Sequence, residues 1–231
     1  MPNLTKIETI KALDAVAKSG INANNIKEQF ERTFAIAEAT QELSNMLTPQ
    51  LMQPIMQLQG RKLGFRTDRR YSEAEVQDCL IEATLQGVYP VGNQFNIIAG
   101  QCYITKEGFG KKLKDISGLS WLITPGVPKL HGDKGATIEM EVSWIYNGKS
   151  DKKTLPICVR FNSKTTGTDA IIGKAERKAR AWLFQNITGQ EVVDGEVEAD
   201  HINVTSKPVY NSKVQESNLA ADFEKANGDL I

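Results

Sequence analysis

Cysteine, histidine and long apolar runs are scarce in this chain of 231 residues. The three cysteines, Cys79, Cys102 and Cys158, are odd in number and far apart, which excludes a disulfide framework and a CxxC metal knuckle. They read as small core residues in a reducing compartment. Two histidines, His131 and His201, cannot build a histidine metal centre, and neither has a second ligand at zinc spacing. No run is long and apolar enough for a membrane span, and no signal peptide is recognisable. The expected location is the cytoplasm, with no membrane partner. The Asn-x-Thr triplets at Asn3, Asn186 and Asn203 are then irrelevant to glycosylation. A P-loop is missing as well. Its nearest look-alike, at Gly110-Lys111, has Thr105 where the first glycine must stand and Lys112 where Ser or Thr must follow. No cofactor is expected.

Net charge is absent only as a sum. Residues 1–50 carry 5 Lys and Arg against 6 Asp and Glu. Residues 51–190 carry 20 against 13, a balance of +7, and residues 191–231 carry 3 against 9, a balance of −6. A basic middle with an acidic tail is the asymmetry of a polyanion-binding body and a separate interaction tail. The expected organisation follows: a helical N-terminal arm over 1–50, a basic α+β core over 51–190, and an acidic, flexible tail over 191–231.

The basic middle is punctuated by local signals. In the arm, Ile7, Ile10, Leu13 and Ala17 repeat at helical spacing, and Asn24 and Asn25 can cap a second helix carrying Ile26, Phe30, Phe34 and Ala37. The stretch 60–72 holds Arg61, Lys62, Arg66, Arg69 and Arg70 against Asp68 alone, with Gly60 and Gly64 marking an exposed loop suited to phosphate contact. Ser72 and Glu75 form a capping box ahead of a helix that buries Val76, Leu80 and Ala83. FNIIAGQCYIT reads as a short strand pair bending near Gly100. Residues 105–118 read as a helix with Phe109, Leu113 and Ile116 as its buried stripe and Lys111, Lys112 and Lys114 off it. Phe109 could stack on a base, but its spacing with Leu113 favours the core. Residues 119–135, rich in Gly and Pro, read as a long connection with turns. ATIEMEVSWIYNG alternates cleanly, Asn147-Gly148 signals a hairpin, and TLPICVRF returns with Arg160 on its outer side.

The strongest single element is the helix Thr168–Gly189. Ile171, Ile172, Ala175, Ala179, Trp182, Leu183 and Ile187 fall on one side at about 100° per residue. Lys174, Arg177 and Lys178 gather on the other, nearly unopposed, so one face can dock while the other presents cations. Glu139 and Glu141 share a strand face, and with Asp133 they could serve a metal-dependent nuclease, but no recognisable carboxylate set completes such a site. At the C-terminus, Leu219 and Phe223 lie i, i+4 in an acidic setting suited to a short helix that forms on a partner.

The order of these segments resembles the RecT-type phage single-strand annealing proteins, in the superfamily that includes the lambda beta recombinase. The pieces are ATLQGVYP (83–90), FNIIAGQCYI (95–104), TKEGFGKKLKDISG (105–118), EMEVSWIYNGKS (139–150) and IGKAERKARAWLFQ (172–185). Thr105 stands where the family has a tyrosine. The resemblance implies ATP-independent pairing of complementary strands by a homo-oligomer, a ring or helical filament, in a bacterial host cell. It also implies an exonuclease partner and contact with the host single-strand-binding protein. The residues expected to hold the DNA backbone are Lys111, Lys112, Lys114, Lys174, Arg177, Lys178, Arg69, Arg70 and Arg160. The expected fold is α+β: a short antiparallel sheet with packed helices, a helical arm and a disordered tail.

Overall fold

The computed structural model describes residues 6–161 and 167–190. The acidic tail over 191–231, with its Leu219 and Phe223, lies outside the described residues. The fold is α+β, as the sequence predicts: among the described residues there are six helices, a two-stranded and a four-stranded antiparallel sheet.

The arm is a helical hairpin, α1 (Lys6–Ala23) and α2 (Gln29–Met46), followed by a short helix α3 (Pro49–Met56) that begins on a proline, where the missing N–H costs nothing. The hairpin packs on α4 (Glu73–Leu85): the Asn24 amide donates to the Leu85 carbonyl at 3.2 Å, and Gln77 donates to the Ser44 carbonyl at 3.0 Å. Asn24 thus ties two helices together rather than capping α2, which starts at Gln29 without a side-chain cap. The stripe expected on α2 also shifts. Ala39 and Leu43 are buried, whereas Phe30 is 82% and Phe34 65% exposed.

The capping box of α4 forms as expected. The Ser72 hydroxyl accepts from the Glu75 N–H, and the Glu75 carboxylate accepts from the Ser72 N–H at 2.9 Å. Below α4 lies the small sheet, β1 (Phe95–Ile98) and β2 (Gln101–Ile104), with Phe95 paired to Ile104 and Ile97 to Cys102. The Phe95 ring stacks on Phe65 at 5.2 Å. Helix α5 (Lys106–Lys114) follows, with the Thr105 hydroxyl accepting from the Gly108 N–H. Gly108 is required by closeness, since a Cβ there would lie 2.1 Å from the Gln94 carbonyl oxygen.

The larger sheet is built on β5 (Gly135–Tyr146) and β6 (Lys149–Arg160), joined by Asn147 and Gly148, both at positive φ, the two-residue turn that the strand twist favours. On its other side β5 pairs with β3 (Leu119–Pro125) and β4 (Lys129–His131). These two strands correct the expectation of a long connection over 119–135. Leu119, Trp121 and Ile123 alternate inward, but the glycine and prolines around them conceal the pattern. Pro125 and Pro128 are tolerated because this is an outer strand, interrupted at 126–128. Ile138, Met140, Val142 and Trp144 of β5 are buried against helix α6 (Thr168–Thr188), where Trp144 meets Trp182 edge-on at 5.7 Å.

Candidate nucleic-acid interface

Helix α6 departs from its expected two-faced design. One side, with Ile171, Ala175, Ala179 and Leu183, is buried on the large sheet. Arg177, Ala181 and Phe184 form a second buried side, where Phe184 meets Lys112 of α5 and Arg177 reaches β2. Arg177, expected on an open cationic face, is only 5% exposed. Its Nε donates to the Ile104 carbonyl at 2.7 Å, and its guanidinium lies 4.0 Å over the Tyr103 ring and 5.6 Å from the centre of Phe109. A helical wheel assumes one core face, and α6 has two. The planar, weakly hydrated guanidinium is the cation best suited to such a place.

The other cations of α6 also serve the fold. Arg180, flanking the helix, donates from Nη1 to the Lys106 carbonyl at 2.6 Å and stands 5.3 Å over Trp121. Lys174 donates to the Arg160 carbonyl at 3.2 Å and Lys178 to the Cys158 carbonyl at 3.3 Å. No strand of the described residues pairs with the other side of β6, so these two lysines satisfy carbonyls of an outer strand. The Arg160 side chain itself is exposed.

On α5, Lys111 forms an ion pair with Asp115 and lies 5.7 Å from the Tyr89 ring. Lys114 is exposed. Lys112 donates to the Gln86 carbonyl at the C-terminal end of α4 at 2.8 Å, and its ammonium lies 4.3 Å over Phe184. Burial lowers its pKa from 10.5 to about 8. The unfolded chain therefore binds more protons than the folded one between those two values, and stability rises with pH through that window. We expect the wild type to gain about 2 kcal/mol in denaturant melts between pH 8 and 10 relative to Lys112→Met, which lacks the titrating group. Parallel curves for the two proteins would refute this.

Of the nine expected contacts, Arg177 is buried, Lys112, Lys174 and Lys178 donate to backbone carbonyls, Lys111 and Arg69 stand in ion pairs, and Lys114, Arg70 and Arg160 are exposed. Lys112 of α5 reaches the end of α4 and the α6 lysines reach carbonyls of β6, while Arg177 is inside. The loop before α4 is different. A parallel bridge between Gln59 and Phe65 closes it on itself, and one between Thr67 and Ile97 docks it beside β1. Tyr71 donates to Asp68 at 2.6 Å and accepts from the Gly100 N–H at 2.8 Å, while the Ala99 N–H donates to Asp68 at 3.1 Å. Burial works against the Asp68 carboxylate, but these bonds outweigh it and hold its pKa below the ordinary value. Phe65 and Tyr71 point inward as anchors, so the loop is held from both ends.

On this frame the five cations divide. Arg69 pairs with Glu75 at 2.7 Å and covers the Tyr71 ring at 4.1 Å. Arg61, Lys62, Arg66 and Arg70 are exposed. Sequence reasoning marked the whole loop yet singled out Arg69 and Arg70. Arg61, Lys62 and Arg66, with Gly60 and Thr67, border a surface pocket of about 410 Å³. The Arg66 backbone N–H donates to Asn96 Oδ1 at 3.2 Å, and Asn96 pairs in register with Tyr103, the ring under Arg177. The loop therefore sits beside the outer side of the small sheet.

The carboxylates weighed for a nuclease are held in ion pairs, Glu141 with Lys152 at 2.6 Å and Glu139 with Lys129 at 3.8 Å. Asp133 is exposed. Among the described residues, no three His, Cys, Asp or Glu side chains converge on a point that could hold a metal ion. No helix of the described residues is long and apolar enough to cross a membrane. No known protein family, curated protein or solved structure matches the chain.

Proposed function

We propose that the chain binds single-stranded DNA through its backbone and pairs complementary strands without nucleotide hydrolysis. The observation that carries the reading is the anchored loop over 60–70, whose exposed Arg61, Lys62, Arg66 and Arg70 stand on a frame fixed to β1. The balance of +7 over residues 51–190 and the order of segments along the chain support it. Contacts to phosphate carry no sequence information, which suits a protein that must accept any strand. Held that way, a strand leaves its base edges open to sample a complement. Pairing then supplies the drive, at about 1.4 kcal/mol per stacked step, and no nucleotide is consumed. The activity is binding rather than bond chemistry.

Assembly into rings or filaments belongs to the same proposal. The exposed Ile7, Ile10, Phe30 and Phe34 of the arm offer apolar surface for it. Many subunits along one strand would multiply weak contacts. An exonuclease that exposes the strand and a host single-strand-binding protein are the proposed partners, and the cytoplasm the proposed location.

The test mixes two complementary oligonucleotides, carrying a donor and an acceptor dye, with the protein and no nucleotide. Pairing several-fold faster than without protein is expected. Cleavage of labelled DNA in Mg²⁺ or Mn²⁺ instead of pairing would replace this reading with a nuclease.

A further inference from the structure

The pocket in the loop has a lining with one chemical character. Three of its five bordering residues are the cations Arg61, Lys62 and Arg66, the other two are Gly60 and Thr67, and no carboxylate or aromatic ring borders it. None of the three cations has a side-chain hydrogen bond or ion pair among the described residues, in contrast to Arg69 beside them. Such a cluster, uncompensated on a concave surface, concentrates positive potential.

The backbone under the cluster is fixed. The Gly60 N–H donates to the Phe65 carbonyl at 2.9 Å, and the Gly64 N–H to Arg61 at 3.1 Å. From the neighbouring segment the Gly92 N–H donates to Leu63 at 3.0 Å and the Asn93 N–H to Gly64 at 2.8 Å. The Ile97 N–H donates to the Arg66 carbonyl at 3.0 Å. The three cationic side chains therefore spring from a fixed backbone, and little backbone ordering is left for binding to supply.

We infer that this pocket is a phosphate site that takes a phosphate group of a nucleic-acid strand. Guanidinium forks match phosphate oxygens in pairs, and the ammonium adds a point charge. The absence of any ring from the border means that a base is not held there. At about 410 Å³ the pocket is larger than one phosphate group, so it accommodates either a terminal phosphate with its sugar or two successive internal phosphates. The source of the phosphate rests on the strand-binding reading, whereas the anion chemistry does not.

The experiment has two arms and uses the full chain. In the first, amide spectra are recorded as inorganic phosphate is added, against chloride at equal ionic strength. Saturable shifts confined to residues 60–67, lost in R61Q/K62Q/R66Q, are expected. No shifts, or shifts spread over all exposed lysines and arginines, would overturn the inference. The three side chains are exposed, and a melt confirms that the variant folds.

In the second arm, oligothymidylate with and without a 5′ phosphate is titrated across a salt series. Loss of the contacts lowers affinity roughly tenfold and reduces the salt slope by about 0.7 for each phosphate released. A terminal site gives tighter binding of the phosphorylated strand, erased in the variant. An internal site gives equal binding of both and equal loss. Strand binding unchanged in the variant would sink the pocket while leaving the annealing proposal intact. Phosphate shifts at 60–67 without any strand binding would do the reverse.

Discussion

Phe109→Ala lowers the stability of the protein by about 4 kcal/mol. The side chain is 1% exposed and sits on α5 where that helix meets β2 and α6. Deleting the ring removes its burial and leaves a space that Gly108 and Gly110, the small residues on either side, cannot fill. It also removes one of the two rings near the Arg177 guanidinium, 5.6 Å from its centre. In denaturant melts the midpoint should fall with the slope unchanged. Well below the new midpoint, strand binding should stay within a few-fold of the wild type. A variant of normal stability that no longer binds strands would mean that Phe109 stacks on a base after all.

Arg177→Ala comes next, at about 3 kcal/mol. The substitution leaves the Ile104 carbonyl without its 2.7 Å donor and uncovers the Tyr103 ring. It also withdraws the methylene stem from the joint between α6 and β2, so part of the loss is packing rather than charge. Arg177→Lys should recover less than half, because an ammonium is a compact charge that cannot lie flat on a ring while donating sideways. Exchange of backbone amides in β2 should quicken in both variants. If the alanine variant were as stable as the wild type and bound DNA more weakly, Arg177 would be a strand contact rather than a tie between elements.

These two residues show where the sequence was legible and where it was not. Phe109 was readable because its i, i+4 spacing with Leu113 is a local signal of a buried stripe. The same holds for the Ser72–Glu75 capping box, the Asn147-Gly148 turn and the alternation from Ile138 to Trp144. Each is decided by neighbours a few residues away, and each forms as expected. Arg177 was not readable that way. Its partners, Ile104 and Tyr103, lie more than seventy residues upstream and become its neighbours only once α6 is buried on two sides. Lys174 and Lys178 likewise acquire their acceptors from the way β6 ends the sheet.

The basic loop is an intermediate case. Its charge was plain, but which of its cations is engaged depends on Glu75 and Tyr71 holding Arg69, a contact set by the docking of the loop on β1 and α4. Strands β3 and β4 were concealed for a different reason. Gly and Pro read as loop signals, yet an outer strand of a sheet accepts them where a central one would not.

The central claim is that the exposed cations of the 60–70 loop, rather than those of α6, grip a strand by its phosphates. The most direct test is binding of labelled oligothymidylate, followed by anisotropy across a salt series, for the wild type, R66E/R70E and K174Q/K178Q. The account predicts salt-sensitive binding by the wild type, a loss of more than roughly tenfold with a shallower slope in the loop variant, and near-wild-type binding in the α6 variant. Binding that survives reversal of the loop charges but fails in the α6 variant would contradict it, as would the lack of any strand binding by the wild type at low salt.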